Sequence, residues 1–427
     1  MFSANTFCSL TFSSIQINPG GDFKVCCFSG SHGNHGISKE DDGVVMNVMT
    51  HSVEEALNSK LHKQLRLFQS QNMRHPTCRV CWDRDDAAGQ SHRTFRNQLM
   101  RRFDNAVRLE DAAAKMQKDG SIDSFPVLLD IRFGNLCNAK CIHCSPNYSN
   151  LWYGDHSKIH GDTFGVGPTR HKIYQENNVY KSDFIQTKWW ETEHWWNEFE
   201  RISDRLGYIY VTGGEPLIVP AHEEMLDRLI ASGKCENISL EYDTNLSALN
   251  PKILTKIKKF KSVIIAVSFD DIEERYEIFR NPLKWDNLLR NLHLLKENYI
   301  TPDEISCCVG IPTVYAPMRI IPLMEELGFH NYRLRLLRSP TVFDLKFLHE
   351  EEKKKILERY SLTNIGERNT IMTTGYIKNN MNSYDKGQLL GFVRYMDSLD
   401  KLRNHDWKSV MPDVAELVLN SIKRGIK

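Results

Sequence analysis

Three cysteines with the spacing C-x3-C-x2-C are the residues of this sequence that most directly indicate chemistry. Cys137, Cys141 and Cys144 lie in the run NLCNAKCIHCSP. A tetrahedral zinc site usually takes four protein ligands, often as two C-x2-C pairs. Three thiolates without a local fourth instead suit a [4Fe-4S] cluster, one iron of which stays open to a substrate or cofactor. A zinc knuckle that uses His143 as its fourth ligand is the alternative on spacing alone.

A glycine pair follows a predicted strand further along the chain. The strand covers Leu206–Val211, and the next five residues read TGGEP. Glycines let the backbone approach a ligand closely, and the Glu215 carboxylate beside them can hold an ammonium group. Pro216 is predicted to open the following helix, near Ala221–Ser232. Taken alone, a Gly-Gly pair is more often only a turn.

Together, the C-x3-C-x2-C and TGGEP motifs resemble those of the radical S-adenosylmethionine (SAM) superfamily. The resemblance implies that the three cysteines hold a [4Fe-4S] cluster whose open iron chelates the amino and carboxylate groups of SAM. It also implies that Gly213, Gly214 and Glu215 contact the amino group. In that superfamily an electron cleaves SAM to methionine and a 5′-deoxyadenosyl radical, which abstracts a hydrogen atom from the substrate.

Two further segments resemble cofactor-binding positions of the same superfamily. The run TNL at 244–246 resembles the third-strand signature TNG, with Leu246 in place of the usual glycine. By the resemblance, Thr244 and Asn245 lie beside the cofactor; the alternative is a plain turn. His143 stands where the superfamily often has an aromatic residue against the adenine, although a metal ligand or a packing histidine would look the same.

The run AVSFDD at 266–271 resembles the fourth-strand signature VSIDG. The resemblance places Ser268 and Asp270 near the ribose and carboxylate of the cofactor. Arg280 resembles the arginine that pairs with the cofactor carboxylate, a pairing that suits a guanidinium. The alternative for Asp270 and Arg280 is a surface pair or a solvated helix end.

The segment from Phe125 to Leu337 alternates short apolar runs with amphipathic stretches, which predicts parallel βαβ units and an α/β fold. Six such units match the partial (β/α)6 TIM-like barrel of the superfamily. The functional residues are then expected at the carboxyl ends of the strands, which is where the motifs lie. The predicted strands are Val127–Phe133, Tyr208–Val211, Ile238–Tyr242, Val263–Phe269, Ile305–Ile311 and Tyr332–Leu337.

A second cysteine set precedes this region with the pattern C-x12-G-x4-C, followed by C-x2-C. Its members are Cys8, Cys26, Cys78 and Cys81. The pattern resembles the twitch domain, a short relative of the SPASM domain, and implies four ligands to an auxiliary [4Fe-4S] cluster. Alternation in Ser14–Ile17 and Phe23–Phe28 predicts the β-hairpin that carries the first pair. A zinc ribbon uses the same arrangement.

The order of the two regions departs from the families that carry them, in which the twitch domain follows the barrel. Cys27 is expected to be a spare thiol, and the alternative is that it replaces Cys8 as a ligand. Cys235, Cys307 and Cys308 are expected to be buried apolar residues.

The composition narrows the class of protein. The chain has 427 residues, a net charge of +1 and 11 cysteines. The odd cysteine number and the lack of a secretion signal favour free thiols in a reducing, cytoplasmic compartment. No apolar run approaches the roughly 20 residues of a membrane span. The basic helix Arg93–Arg102 is interpreted as a solvated helix that connects the domains rather than a nucleic-acid contact, although binding to a nucleic-acid backbone needs only such a basic patch.

These patterns predict four segments: a twitch-like domain over 1–100, a helical connector over 101–123, a radical SAM core over 124–340 and a helical extension over 341–427. The tryptophan-rich stretch from Trp152 to Trp196, which includes the glycine-rich Gly161–Gly167, is either a covering loop or a substrate surface. The resemblance implies an external electron donor and peptide or protein modification, with the substrate unidentified. The competing hypotheses are a zinc-binding interaction protein on a degenerate barrel and a non-catalytic iron–sulfur electron-transfer protein.

Overall fold

The computed structural model describes residues 2–30, 36–88, 91–165, 170–185, 187–300, 302–363 and 367–425. The strands in chain order are β1 Ser14–Ile17, β2 Phe23–Lys24, β3 Leu128–Ile131, β4 Thr163–Phe164, β5 His171–Glu176, β6 Val179–Ser182, β7 Tyr208–Val211, β8 Ser239–Thr244, β9 Ser262–Ser268, β10 Glu304–Val309 and β11 Tyr332–Leu336. The α-helices are α1 Leu10–Ser13, α2 Val53–Leu57, α3 Lys60–Ser70, α4 Arg79–Ala88, α5 His92–Met100, α6 Ala112–Lys115, α7 Trp152–His160, α8 Glu193–Ser203, α9 Pro220–Ala231, α10 Pro251–Ile257, α11 Glu273–Phe279, α12 Trp285–Glu297, α13 Pro317–Glu326, α14 Glu350–Ser361, α15 Glu367–Asn379, α16 Lys386–Arg403, α17 Trp407–Val410 and α18 Pro412–Arg424.

The chain divides into two compact units, each built from several segments. The first comprises Met1–Asn135, Phe184–Tyr242 and Asn250–Ile264. The second comprises Leu136–Asp183, Asp243–Leu249 and Ile265–Lys427.

The first unit contains five neighbouring strands in the order β2-β1-β3-β7-β8. Strands β1 and β2 pair in antiparallel register, Gln16 with Lys24, which confirms the predicted hairpin, although the second strand is shorter than predicted. The hairpin is not isolated, because β1 also pairs in parallel with β3. The polar N-terminal segment therefore extends the parallel sheet.

The second unit contains the parallel strands β9, β10 and β11. A separate antiparallel sheet has the order β4-β5-β6. Helix α16, the longest of the C-terminal helices, begins at a cap: the Asp385 carboxylate accepts a hydrogen bond from the Gln388 amide at 3.0 Å. It ends at Asn404, whose φ of 55° stops the helix in the left-handed region.

Strands occupy all six positions predicted from Phe125 to Leu337, and the α/β class is confirmed. Two local predictions are wrong. Pro216 opens a short 3-10 turn over Pro216–Ile218, and Pro220 opens the helix instead. The tryptophan-rich stretch is not a loop, because it contains α7, the three-stranded sheet and α8; part of Gly161–Gly167 lies outside the described residues.

The prediction that the basic helix is solvated is also wrong. Arg93 and Arg96 on α5 are buried rather than solvated. Arg93 pairs with Asp85 at 2.8 Å, and Arg96 pairs with Glu241 at 2.9 Å. Both charges are thus matched inside the first unit. No described helix is both long and apolar enough to cross a membrane.

Candidate functional site

The loop that carries Cys137, Cys141 and Cys144 belongs to the second unit and is anchored at successive backbone groups. The Cys137 amide donates to Asn150 Oδ1 at 3.0 Å, and the Trp152 indole donates to the Cys141 carbonyl at 2.9 Å. All three thiols are free of disulfides. The surrounding protein therefore holds the loop in place through its main chain.

The thiols of this loop are in a low-dielectric setting. Burial raises the pKa of Cys141, and the positive charge of Arg280 opposes that rise. Burial and the neighbouring Cys141 raise the pKa of Cys144 to about 12. A buried thiol loses its proton when a metal ion binds to the sulfur in place of the proton. A set of three such thiols therefore fits a cluster that takes thiolate ligands.

Arg280 and Asp270 form a buried ion pair beside this loop. Arg280 Nη2 lies 2.6 Å from Asp270 Oδ2, and Arg280 Nη1 lies 3.8 Å from Cys141 Sγ. Burial disfavours the charged guanidinium, but the Asp270 carboxylate raises the pKa of Arg280 overall. The Cys308 amide fixes the other Asp270 oxygen at 2.7 Å. The pair is therefore not the exposed surface pair of the alternative interpretation.

Removing the carboxylate of this pair is expected to destabilise the protein strongly. Asp270→Asn leaves the Arg280 charge buried without its counter-ion, which costs about 3–5 kcal/mol. Urea unfolding of the variant and the parent measures the difference. The control Glu350→Gln removes an exposed pair with Lys354 and is expected to cost less than about 1 kcal/mol. Equal losses in the two variants would show that the Asp270 pair carries no special stability.

The residues after β8 are tied to the cysteine loop within the same unit. Asn245 Nδ2 donates to Asn138 Oδ1 at 3.0 Å, and Asn138 Nδ2 donates to Ser247 Oγ at 2.7 Å. Thr244 Oγ1 accepts from the Leu246 amide at 2.9 Å. Leu246 has a φ of 57°, the conformation that the usual glycine would adopt without strain. The turn geometry is thus kept, and the leucine side chain is buried.

Two other predicted cofactor residues lie in the second unit. The His143 ring packs against Phe279, with centroids 4.9 Å apart, and its Nδ1 atom is buried without a hydrogen-bond partner among the described residues. Burial lowers the pKa of His143 to about 4, so the imidazole is neutral. Ser268 is half-buried at the end of β9, opposite Ser306 of β10.

The TGGEP turn lies in the first unit, directly after β7. Gly213 has a φ of 99°, and a Cβ atom at this position would lie 2.8 Å from Arg132 Cβ. Only glycine fits there. Glu215 is 1% exposed, and its Oε1 accepts from the Leu217 amide at 3.1 Å. The turn therefore brings backbone and a buried carboxylate together at the end of a parallel strand.

Substituting the first glycine tests how closely this turn is packed. Gly213→Ala is expected to lower the melting temperature more than Gly233→Ala. Gly233 also has a positive φ, 73°, but a Cβ there meets nothing within 4 Å, so it reports backbone strain of about 1–2 kcal/mol alone. Differential scanning calorimetry measures both. An equal drop in melting temperature in the two variants would mean that Arg132 moves aside without a loss of stability.

The second cysteine set surrounds one cavity inside the first unit. Its empty volume is about 510 Å³. Besides thiols, its lining includes apolar side chains such as Leu65 and polar or charged ones such as Gln69 and Arg93. The four predicted ligands line it, namely Cys8, Cys26, Cys78 and Cys81. Cys27 does not line the cavity, and its sulfur lies 3.7 Å from His92 Nε2. The structure thus brings together the four cysteines chosen from the spacing.

These four thiols influence one another electrostatically. Burial and the nearby Cys26 and Cys81 raise the pKa of Cys8 to about 12. Burial and Cys26 raise the pKa of Cys81 to about 11. Four thiols around one cavity fit a thiolate-ligated iron–sulfur cluster. Among the described residues, no three His, Cys, Asp or Glu side chains form a site for a single metal ion.

A row of polar residues crosses the first unit's sheet and was not predicted. Paired positions place one polar side chain from each of five strands on the same face, and the row is Lys24, Gln16, Asp130, Tyr210 and Glu241. Asp130 Oδ1 lies 3.0 Å from Arg132 Nη1. The available signal was a carboxylate within the apolar runs VLLDIRF and ISLEYDT. This polar layer can orient a polar ligand, which an apolar sheet face cannot.

The other cysteines and tryptophans are mainly packing residues. Cys235 and Cys307 are buried as predicted, whereas Cys308 is half-buried. Trp189 and Trp195 are 0% exposed, and their rings pack edge to face with centroids 4.9 Å apart. Their burial favours a structural role over a substrate surface.

Two family models match this chain, one over the region of each cysteine set. Residues 131–316 match the model of the radical SAM superfamily, and residues 8–82 match the model of SPASM, an iron–sulfur cluster-binding domain. No curated protein matches the sequence significantly.

Among solved structures, anSMEcpe with bound AdoMet is 17% identical, with a TM-score of 0.39 over 55% of this chain and 57% of that chain. SuiB of Streptococcus suis bound to S-adenosylmethionine is 12% identical, with a TM-score of 0.37 over 74% of this chain and 64% of that chain. The chain thus spans less than two thirds of the length of either structure.

Proposed function

Because the chain belongs to the radical SAM superfamily and carries a SPASM iron–sulfur domain, we propose that it is an enzyme that cleaves SAM reductively. The cofactors implied by these two domains are SAM, the [4Fe-4S] cluster of the core and an auxiliary iron–sulfur cluster. When bound, the core cluster and SAM supply a 5′-deoxyadenosyl radical for hydrogen abstraction. The observation that carries the proposal is the anchored loop, which holds three buried or half-buried cysteines that form no disulfide.

Cys137, Cys141 and Cys144 are assigned to the core cluster. The donor chemistry supports this role, because three thiolates leave one iron without a protein ligand. The Arg280 guanidinium, next to Cys141, offers a fixed positive charge to that cluster.

The remaining cofactor residues are assigned to SAM by their place in the motifs. Gly213, Gly214 and Glu215 receive its amino group, and Ser268, Asp270 and Arg280 serve the ribose and carboxylate. Thr244 and Asn245 hold the loop next to the cofactor, and the neutral His143 packs against the adenine. In the structure Arg280 already has Asp270 as its partner, so we infer that both residues would serve the cofactor as one pair.

Cys8, Cys26, Cys78 and Cys81 are assigned to the auxiliary cluster. Their shared cavity supports this role, and the place of Cys27 outside the cavity supports four ligands rather than five. The auxiliary cluster would relay an electron or bind the substrate.

The finer features of the enzyme are also proposals. We propose a partial (β/α)6 barrel over 124–340, flanked by a twitch-like domain over 1–100, a connector over 101–123 and a helical extension over 341–427. The substrate class is a peptide or protein, because SPASM and twitch proteins often modify such substrates. An external donor supplies the electron, and eleven cysteines that form no disulfide suit the reducing cytoplasm.

Metal and sulfide analysis of anaerobically purified protein tests the proposal. Iron and acid-labile sulfide in equal amounts, with an electron paramagnetic resonance (EPR) signal after dithionite that changes when SAM is added, is the expected result. Zinc at both cysteine sets without sulfide would support the interaction protein instead. Clusters whose EPR signal does not change when SAM is added would support an electron-transfer protein.

A further inference from the structure

The helix α16 of the C-terminal extension ends in an arginine whose charge is enclosed. The Arg403 side chain is 1% exposed, and its Nε donates to Asp155 Oδ2 at 2.8 Å. Its guanidinium lies over the Trp152 ring, 4.9 Å from the centroid. Both terminal nitrogens, Nη1 and Nη2, are buried and have no hydrogen-bond partner among the described residues. Unsatisfied buried donors on a charged group are costly, so such a fork indicates an acceptor that the described residues do not provide.

The place of Arg403 in the second unit indicates which acceptor. The Trp152 ring that the guanidinium covers donates through its indole nitrogen to the Cys141 carbonyl at 2.9 Å. From the same helix, the Tyr395 hydroxyl donates to the Ile142 carbonyl at 2.9 Å. Two side chains of α16 therefore converge on the loop of the core cluster.

The orientation of the guanidinium is fixed independently of any ligand. Asp155 Oδ2 binds Arg403 Nε, and the same carboxylate accepts from Lys140 Nζ, 3.0 Å away, in the cysteine loop. The planar guanidinium cannot rotate without losing this bond and its contact with Trp152. Its two outer nitrogens are therefore presented as a rigid pair.

We propose that Arg403 is a positioning residue of the core cluster, in which Nη1 and Nη2 donate hydrogen bonds to sulfur atoms of the cluster held by the Cys137–Cys144 loop. The inference rests on the proposed function, since it requires a cluster in this loop. Sulfide and thiolate sulfurs accept such bonds, and bonds and charges around them set the reduction potential. An added electron makes the cluster more negative, so a fixed cation with two donors stabilises the reduced form. The C-terminal extension thereby makes the core cluster easier to reduce.

The test is the midpoint potential of the core cluster, measured by EPR during titration with dithionite in the full chain, with Cys78→Ala/Cys81→Ala as the background to remove the auxiliary signal. Arg403→Gln is expected to disfavour reduction at least tenfold, a shift of about 59 mV to lower potential for one electron. Arg403→Lys, which keeps the charge but not the fork, is expected to fall between Arg403→Gln and the parent. The matched control is Arg394→Gln, an exposed arginine on the same helix, which is expected to leave the potential unchanged.

The outcomes separate this inference from the proposed function. A parent protein without any core cluster would contradict the proposed function itself. A loaded Arg403→Gln variant with the parent's potential would overturn the inference alone. If Arg403→Gln fails to load the cluster, Arg403→Lys decides: a lowered potential supports the tuning role, whereas an unchanged potential or loss of the cluster assigns Arg403 a purely structural role.

Discussion

Replacing Cys137, Cys141 and Cys144 together by alanine is expected to abolish formation of 5′-deoxyadenosine from SAM. Without these thiolates the loop has no ligand for iron, so the group that reduces SAM is lost altogether. Chromatography of the reaction products after addition of dithionite and SAM measures the effect, and the expected level is below detection. Among the substitutions considered, this one has the largest expected effect on activity.

Cys235→Ala is the matched control for this experiment. Cys235 is a buried free thiol, 4% exposed, outside both cysteine sets. Its replacement is expected to leave product formation intact, at a modest cost in stability. Product formation at the parent level in the triple variant would show that the chemistry does not occur at this loop.

Replacing Cys78 and Cys81 by alanine is expected to remove about half of the bound iron while sparing part of the SAM cleavage. Two of the four thiols around the N-terminal cavity are then missing, so the auxiliary cluster loses half its ligands, whereas the core loop is unchanged. Iron and sulfide analysis per polypeptide measures the loss. The remaining EPR signal should keep its response to SAM.

The comparison between the two cysteine variants decides whether there are two independent clusters. The triple variant should keep the auxiliary cluster, and the double variant should keep the core cluster. Complete iron loss in both would instead indicate one metal site, or one folding unit that fails as a whole. Zinc bound at the N-terminal cysteine set would show that these cysteines form a zinc ribbon and not an iron–sulfur site.

Local patterns in the sequence predicted the N-terminal hairpin and the six strands between Phe125 and Leu337, but not β4, β5 and β6. The run Tyr208–Val211 is buried on both faces and is bounded by turn residues, so its position follows from composition alone. Cys8 and Cys78 meet at one cavity although 69 residues separate them. That pairing was predicted only because the family pattern supplies the long-range information that periodicity lacks.

Long-range pairings without a motif could not be predicted. The pairing of β1 with β3 joins residues more than 100 positions apart, and neither strand carries a residue that specifies its neighbour. The burial of Arg96 depends on Glu241, which lies 145 residues away. The role proposed for Arg403 could not be predicted from the sequence either, because its partner Asp155 lies 248 residues away and the C-terminal sequence has no recognisable motif.

The most direct test of the central claim is the yield of 5′-deoxyadenosine from the unmodified protein. Anaerobically purified protein with intact clusters is mixed with SAM and dithionite, and the products are quantified by liquid chromatography and mass spectrometry. The account predicts 5′-deoxyadenosine and methionine in equal amounts. Failure to form 5′-deoxyadenosine, despite a reduced cluster in the Cys137–Cys144 loop, would contradict it.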